Sequence, residues 1–265
     1  MKKIVSLLIL MIIILAACGS AEGNTSKNRT VTIAIQDSEL YETIVEHVKK
    51  KVEDEGIDLE IVYMSDWNIF NQALANAEID LNFYQTRQFL QNANETNGWN
   101  LVPIADTYFN NQGYFSSKYK TLEELPEGAT VIIPSDPVNN GHALHVLQQG
   151  GLIKLKEGVG FQGSQSDIIE NKKGLNLVEV DFNMIPNMIE DSDLSYLATR
   201  TIIQAGFVLE DALILGDYHE EFIMVLAARE DNKDEEVIQI IAEAFESEDT
   251  KNITIEKHPI EIVWH

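Results

Sequence analysis

VTIAIQDSELYETIVEHVKKKVEDEGIDLEIVYMSDWNIFNQALANAEIDLNFY, residues 31–84, is the stretch that decides the fold. Val31-Thr32-Ile33-Ala34-Ile35 is a short β-branched run, and Leu40, Ile44, Val48 and Val52 follow at helical spacing, which predicts a strand and then a helix over 39–53. A second strand is expected over 58–64. Ser65-Asp66 can cap a helix over 67–76 that turns Ile69, Phe70, Ala73, Leu74 and Ala77 inward. Residues 79–84 complete the unit as a third strand. Strand, helix, strand, helix, strand with short loops predicts right-handed α/β units on a parallel sheet.

The same alternation resumes further on. Runs over 129–134, 175–181 and 194–199 read as strands of a second sheet, with helices expected near 141–149, 165–171 and 184–190. Beyond Gly206, strands are expected over 212–215 and 222–229, and Val237, Ile240, Ile241 and Ala244 form one face of a helix over 234–244. This tail is expected to rejoin the first lobe. The expected division is therefore lobe 1 over 31–113 plus 203–265, and lobe 2 over 114–202. No repeat of solenoid period interrupts this order.

At the other end, Lys2 and Lys3 precede an unbroken apolar run over 4–15, then Ala16-Ala17-Cys18. That run has the length of a signal-peptide core and falls short of the ~20 apolar residues needed to span a bilayer. Leu15-Ala16-Ala17-Cys18 looks like a bacterial lipobox. Residues 1–17 are expected to be a cleaved signal peptide, Cys18 a lipidated cysteine, and 18–30 a flexible tether; two acyl chains anchor stably where one does not. Cys18 is the only cysteine, so the fold rests on its apolar core without an intrachain disulfide. Removing Lys2 and Lys3 with the leader takes the net charge from −24 to −26, which makes nucleic acid an improbable partner.

Open α/β sheets bind ligands at the C-terminal ends of their strands. The residues there are Trp67 after the second strand, Tyr84 and Thr86 at the third, Ser135 to His142 after the first strand of lobe 2, and Thr199-Arg200 after a later one. Arg200 stands out, because a guanidinium beside an apolar strand calls for a carboxylate. Enzyme motifs are missing: there is no Gly-x-Ser-x-Gly elbow and no Gly-rich phosphate loop, and the one thiol is committed to the anchor. His142 and His145, three apart on one helix, lack a third partner of matching spacing, so neither a metal nor a cofactor is expected.

Ile133-Pro134-Ser135-Asp136-Pro137-Val138-Asn139-Asn140-Gly141 resembles the strand-to-helix turn of the methionine-binding lipoprotein family, the NlpA type, which serves ABC importers. Asp80-Leu81-Asn82-Phe83-Tyr84-Gln85 resembles that family's Asp-x-Asn-Phe-Phe-Gln, residues 122–130 resemble its lobe connection, and the likeness runs in one order from about 31 to 230. The resemblance implies a periplasmic-binding-protein-like fold of two α/β lobes, each an open, mainly parallel sheet flanked by helices, with the ligand cleft between them. It further implies delivery of a small zwitterion to a permease and its ATPase.

The polar pocket positions depart from the family pattern. By the resemblance, the family's His falls on Thr86, its carboxylate-clamping Arg on His142, and two Asn on Arg200 and Met224. The aromatic wall is better kept, as Trp67, Tyr84 and Phe89, and Asn140 belongs to the turn ahead of His142. Arg200 is expected to supply the cation that position 142 has lost, aided by the helix N-terminus at 139–141. The ligand stays open between L-methionine, another amino acid, a methionine-containing dipeptide and a less related anion. A lipid-anchored surface sensor or adhesin using the same cleft is the competing role.

Overall fold

A computed structural model describes residues 29–258 and 263–264; Cys18 and the rest of the leader and tether lie outside the described residues. In chain order the first elements are β1 (Thr30–Ile35), α1 (Glu39–Glu53), β2 (Asp58–Tyr63), α2 (Trp67–Ala75), β3 (Leu81–Thr86), α3 (Arg87–Asn97), β4 (Leu101–Phe109) and β5 (Gln112–Phe115). Next come β6 (Thr130–Pro134), α4 (Pro137–Gln149), β7 (Ile153–Leu155), β8 (Ile168–Asn171), β9 (Asn176–Val180), β10 (Leu194–Ala198) and α5 (Thr199–Gln204). The chain closes with β11 (Ile214–Leu215), β12 (Ile223–Arg229), α6 (Glu236–Phe245), α7 (Glu248–Lys257) and β13 (Val263–Trp264).

Two sheets organise these elements. The first has the order β13-β4-β12-β3-β1-β2 and the second β11-β5-β10-β6-β9, while β7 and β8 form a separate antiparallel pair. β1 runs parallel to both β2 and β3, and β6 runs parallel to both β9 and β10. The remaining pairings in both sheets are antiparallel. Each lobe is thus a mixed sheet in which only one half is parallel, rather than the mainly parallel sheet expected, because the strands that cross between the lobes and return pair antiparallel.

Side-chain alternation explains the layering of the first lobe. Ile33, Ile35, Leu81, Phe83 and Leu226 face α1 and α6, whereas Ala34, Tyr84, Val225 and Ala227 face α2 and α3. A sheet covered on both faces needs strands apolar on both, and every residue of β3 is buried. α1 falls where its periodicity places it, with Leu40, Ile44, Val48 and Val52 all buried. The second sheet has its own core around Val131, Ile133, Leu144, Leu147 and Leu197.

The chain passes between the sheets twice. It leaves the first sheet at Asn110 and Asn111, between β4 and β5, and comes back over 216–222, ahead of β12. The return is later than the sequence suggests: β11 belongs to the second sheet, with Ile214 opposite Tyr114 and Leu215 opposite Gly113. Gly113 permits the approach, since a Cβ there would lie 2.5 Å from the Ile214 carbonyl oxygen. The helix expected near 165–171 is instead a 3-10 turn, closed by Ser164 and Asp167, that leads into β8. The segment Phe182–Asp191, expected to hold an α-helix, is 3-10 and contains Pro186, whose missing N–H breaks an α-helical ladder.

Candidate ligand-binding site

A small cavity of about 40 Å³ lies where the C-terminal ends of β3 and β10 meet, between the two sheets. Lobe 1 contributes Tyr41 of α1, Trp67 at the start of α2, Tyr84, Gln85 and Thr86 of β3, Phe89 of α3, and Met224 of β12. Asn139 of α4, Phe182, Ala198 of β10 and Arg200 of α5 come from lobe 2, and Asn110 comes from the first crossing. The position agrees with the rule for open α/β sheets.

Aromatic contacts build one wall. Tyr84 stacks on Phe70 at 4.1 Å, and Phe89 meets both Tyr84 and Trp67 edge-on at 6.0 Å. Trp67 also packs against Phe182 of the other lobe at 5.4 Å, so a single side chain joins the two halves. Asp66 caps α2 by accepting from the Asn68 N–H at 2.9 Å, which fixes where Trp67 enters. The indole N–H of Trp67 is buried without an acceptor.

Polar groups set the rest. Gln85 is held by a buried amide trio: Asn71 donates to its Oε1 at 2.7 Å, while its Nε2 donates to Asn71 at 2.7 Å and Asn82 at 2.9 Å. Thr86 caps α3 by accepting from the Phe89 N–H. Arg200 donates from Nη2 to Asn183 at 2.7 Å, and among the described residues it forms no ion pair. Tyr41 is buried, and this raises its hydroxyl pKa despite the nearby Arg200 guanidinium, which acts in the opposite direction.

Of the side chains singled out in the sequence, Trp67, Tyr84, Thr86, Phe89, Arg200 and Met224 come together here. Asn140 and His142 do not. Helix α4 starts at Pro137 rather than 141, which turns Asn139 to the cavity and Asn140 away from it, where its Nδ2 donates to the Pro134 carbonyl at 2.7 Å. The earlier start also removes the expected anion site at 139–141, because the Asp136 cap accepts from the Asn139 N–H at 2.9 Å. His142 is 1% exposed and lies against Phe222, 4.0 Å between ring centres, with Phe161 at 5.5 Å. Its Nδ1 is 2.6 Å from the Tyr196 hydroxyl. That hydroxyl also contacts the Gln112 side chain. Burial holds its pKa well below the ordinary histidine value, helped by His145 and His219, and the ring packs in the core away from the cavity. Among the described residues no group of three His, Cys, Asp or Glu is placed to hold a metal ion.

Tyr41, Phe182 and Asn139 were the lining residues hardest to foresee. Tyr41 lies beside the apolar stripe of α1, Phe182 opens a 3-10 segment, and Asn139 differs from Asn140 only by helix rotation.

Two sheets joined by two crossings, closing over a cavity with an aromatic wall and a guanidinium that forms no ion pair among the described residues, define a two-lobed solute-binding protein. The chain belongs to the NlpA lipoprotein family, whose model matches residues 31–263. It is 31% identical over 238 residues to the D-methionine-binding lipoprotein MetQ of Salmonella typhimurium, covering 89% of this chain and 87% of that one. It is 34% identical over 243 residues to Lipoprotein 28 of Escherichia coli O157:H7, covering 91% and 88%. Among solved structures, a nutrient-binding protein from Burkholderia cenocepacia bound to methionine superposes with a TM-score of 0.84 at 28% identity, covering 88% of this chain and 99% of that one.

Proposed function

We propose that this chain is the substrate-binding lipoprotein of an ATP-driven importer, capturing methionine, a related amino acid or a short peptide and delivering it to a permease and its ATPase. The observation that carries this reading is Arg200: a guanidinium that forms no ion pair among the described residues, lining a cavity together with Trp67, Tyr84 and Phe89. A guanidinium and a carboxylate attract by ~1.5–3 kcal/mol through charge-assisted hydrogen bonds. The rings suit a thioether, since sulfur–aromatic contacts contribute ~0.3–1.5 kcal/mol. The relatives named for methionine binding support the same ligand class.

Residues 1–17 serve as the signal peptide and Cys18 carries the lipid that keeps the binding lobes beside the permease outside the membrane. Trp67, Tyr84, Phe89, Thr86, Met224 and Arg200 are the ligand-contacting residues. Lobe 1 runs from 31 to the crossing at 110–111 and resumes after 216–222, with lobe 2 between. Thermal unfolding of the full chain in detergent, against a panel of amino acids and methionine dipeptides, tests the reading. Ligand at 100 times Kd adds about 2.7 kcal/mol of stability, so the true ligand raises Tm by several degrees. Flat responses across the panel overturn the proposal.

A further inference from the structure

Imidazoles hold the second crossing to lobe 2. His142 and His145 stand about one turn apart on α4, and His219 lies on the returning segment 216–222. His145 is 5.7 Å from His219 and 6.5 Å from His142, ring centre to ring centre. Phe161, in the turn Gly160–Gln162, packs against His145 at 4.6 Å, His219 at 4.8 Å and His142 at 5.5 Å. Gly216 lets the crossing come this close, since a Cβ there would lie 3.2 Å from the His142 ring. The Nε2 atoms of His142 and His219 are buried without a hydrogen-bond partner among the described residues. The same segment reaches the ligand cavity. Phe222, 4.0 Å from His142, accepts at its carbonyl from the Asn110 N–H at 3.1 Å, and Asn110 and Met224 line the cavity. Phe109 packs on Tyr218 at 4.9 Å, so the two crossings lie against each other.

Resting on the binding role proposed above, we infer that His142, His145 and His219 form a proton-operated latch: neutral, they dock the second crossing on α4 and keep the lobes closed on ligand, and on acidification they release both. Helix α4 carries no Asp, Glu, Lys or Arg to offset charge on the cluster. From the neighbouring strands come only hydroxyls, that of Tyr196 on His142 and that of Tyr114, which donates to the Ala143 carbonyl. The crossing brings Asp217, which favours protonated His145, and the exposed Glu220 and Glu221. Burial lowers the pKa of His142 and His145 and neighbouring imidazoles add to this, with Asp217 opposing at His145. The docked form therefore binds fewer protons than an undocked form whose imidazoles titrate in water near 6.5. The latch is at full strength above pH 6.5 and weakens as the pH falls through the lowered values. A protonated His142 would also carry an N–H at Nε2 with no acceptor, and charge on both His145 and His219 would set like charges side by side.

Two measurements on the full chain in detergent, each at pH 7.5 and 5.5, test the latch. Isothermal titration with L-methionine, whose own groups do not titrate in that interval, is expected to show Kd at least about fivefold weaker at the lower pH. Hydrogen exchange, corrected for the intrinsic effect of pH, is expected to show the Gly216 and Asn110 amides losing protection over the same interval without ligand, because their bonds to the Gln112 and Phe222 carbonyls tie the crossings together. In the double variant His145→Gln, His219→Gln both pH effects shrink to about twofold or less, whatever the absolute values, since no imidazolium forms at either position. His219→Gln alone, on the partly exposed crossing, supplies the comparison if the double variant does not fold, and a pH effect smaller than that of wild type is expected. Equal protection at the two pH values in wild type, undiminished pH effects in the variants, or lost protection with an unchanged Kd overturns the inference and leaves the importer reading standing. If L-methionine binds at neither pH, the methionine reading falls, and the exchange comparison between wild type and variant still decides for or against the latch.

Discussion

Trp67 touches Phe89 of its own lobe and Phe182 of the other, so it belongs to the ligand wall and to the seam between lobes at once. Trp67→Ala removes both contacts from a residue that is not part of the deep core of either lobe. Ligand affinity is expected to fall by about 10- to 100-fold, with Kd read by titration; an unchanged Kd would remove Trp67 from the site. His142 makes a different prediction. Its folded pKa lies below the unfolded value near 6.5, so the unfolded chain binds the extra proton first. The stability it contributes is complete above pH 6.5 and declines as the pH falls toward the lowered folded value. Tm measured between pH 7.5 and 5 should therefore drop on acidification, and less steeply in His142→Phe; parallel profiles in the two proteins contradict this. The strand-end residues Trp67, Tyr84 and Thr86 were legible because a strand's end and its alternation locate a side chain. Helix rotation was not: Asp136 and Pro137 start α4 one turn earlier than Gly141 suggests, which brings Asn139 rather than Asn140 to the cavity.

At the scale of elements, α4 is clamped against the turn Gly160–Gln162 by the absence of a side chain. A Cβ on Gly141 would lie 1.8 Å from the Phe161 carbonyl oxygen, an overlap that only backbone movement relieves. Gly141→Ala is expected to cost about 1–3 kcal/mol or more, visible as a lower urea midpoint at unchanged slope, and a wild-type midpoint would contradict the contact. Helices with a strong apolar stripe, α1 and α6, stood out in the sequence. α3 did not, because Leu90 is its only buried residue. β4 was obscured by Pro103, which cannot donate to a ladder and sits where the register with β12 shifts between Leu226 and Ala227. β11 was visible as a strand, but its partner was not, because two residues carry no pattern that distinguishes one sheet edge from another.

For the whole molecule, two lobes that meet through Trp67 and Phe182 and share the crossings at 110–111 and 216–222 make a clamp around the cavity lined by Arg200. The proposed anchor gives this clamp its address: Cys18→Ser is expected to move the protein from the membrane fraction to the soluble one, and retention in the membrane would contradict lipidation at that residue. The central claim is that the clamp holds a small carboxylate on Arg200. Titration calorimetry of wild type and Arg200→Ala, each with the ligand that most raises Tm, tests it most directly. One site per chain is expected, weakened about 10- to 150-fold by the substitution, the loss of ~1.5–3 kcal/mol from a charge-assisted pair. Equal affinity in the two proteins would contradict it.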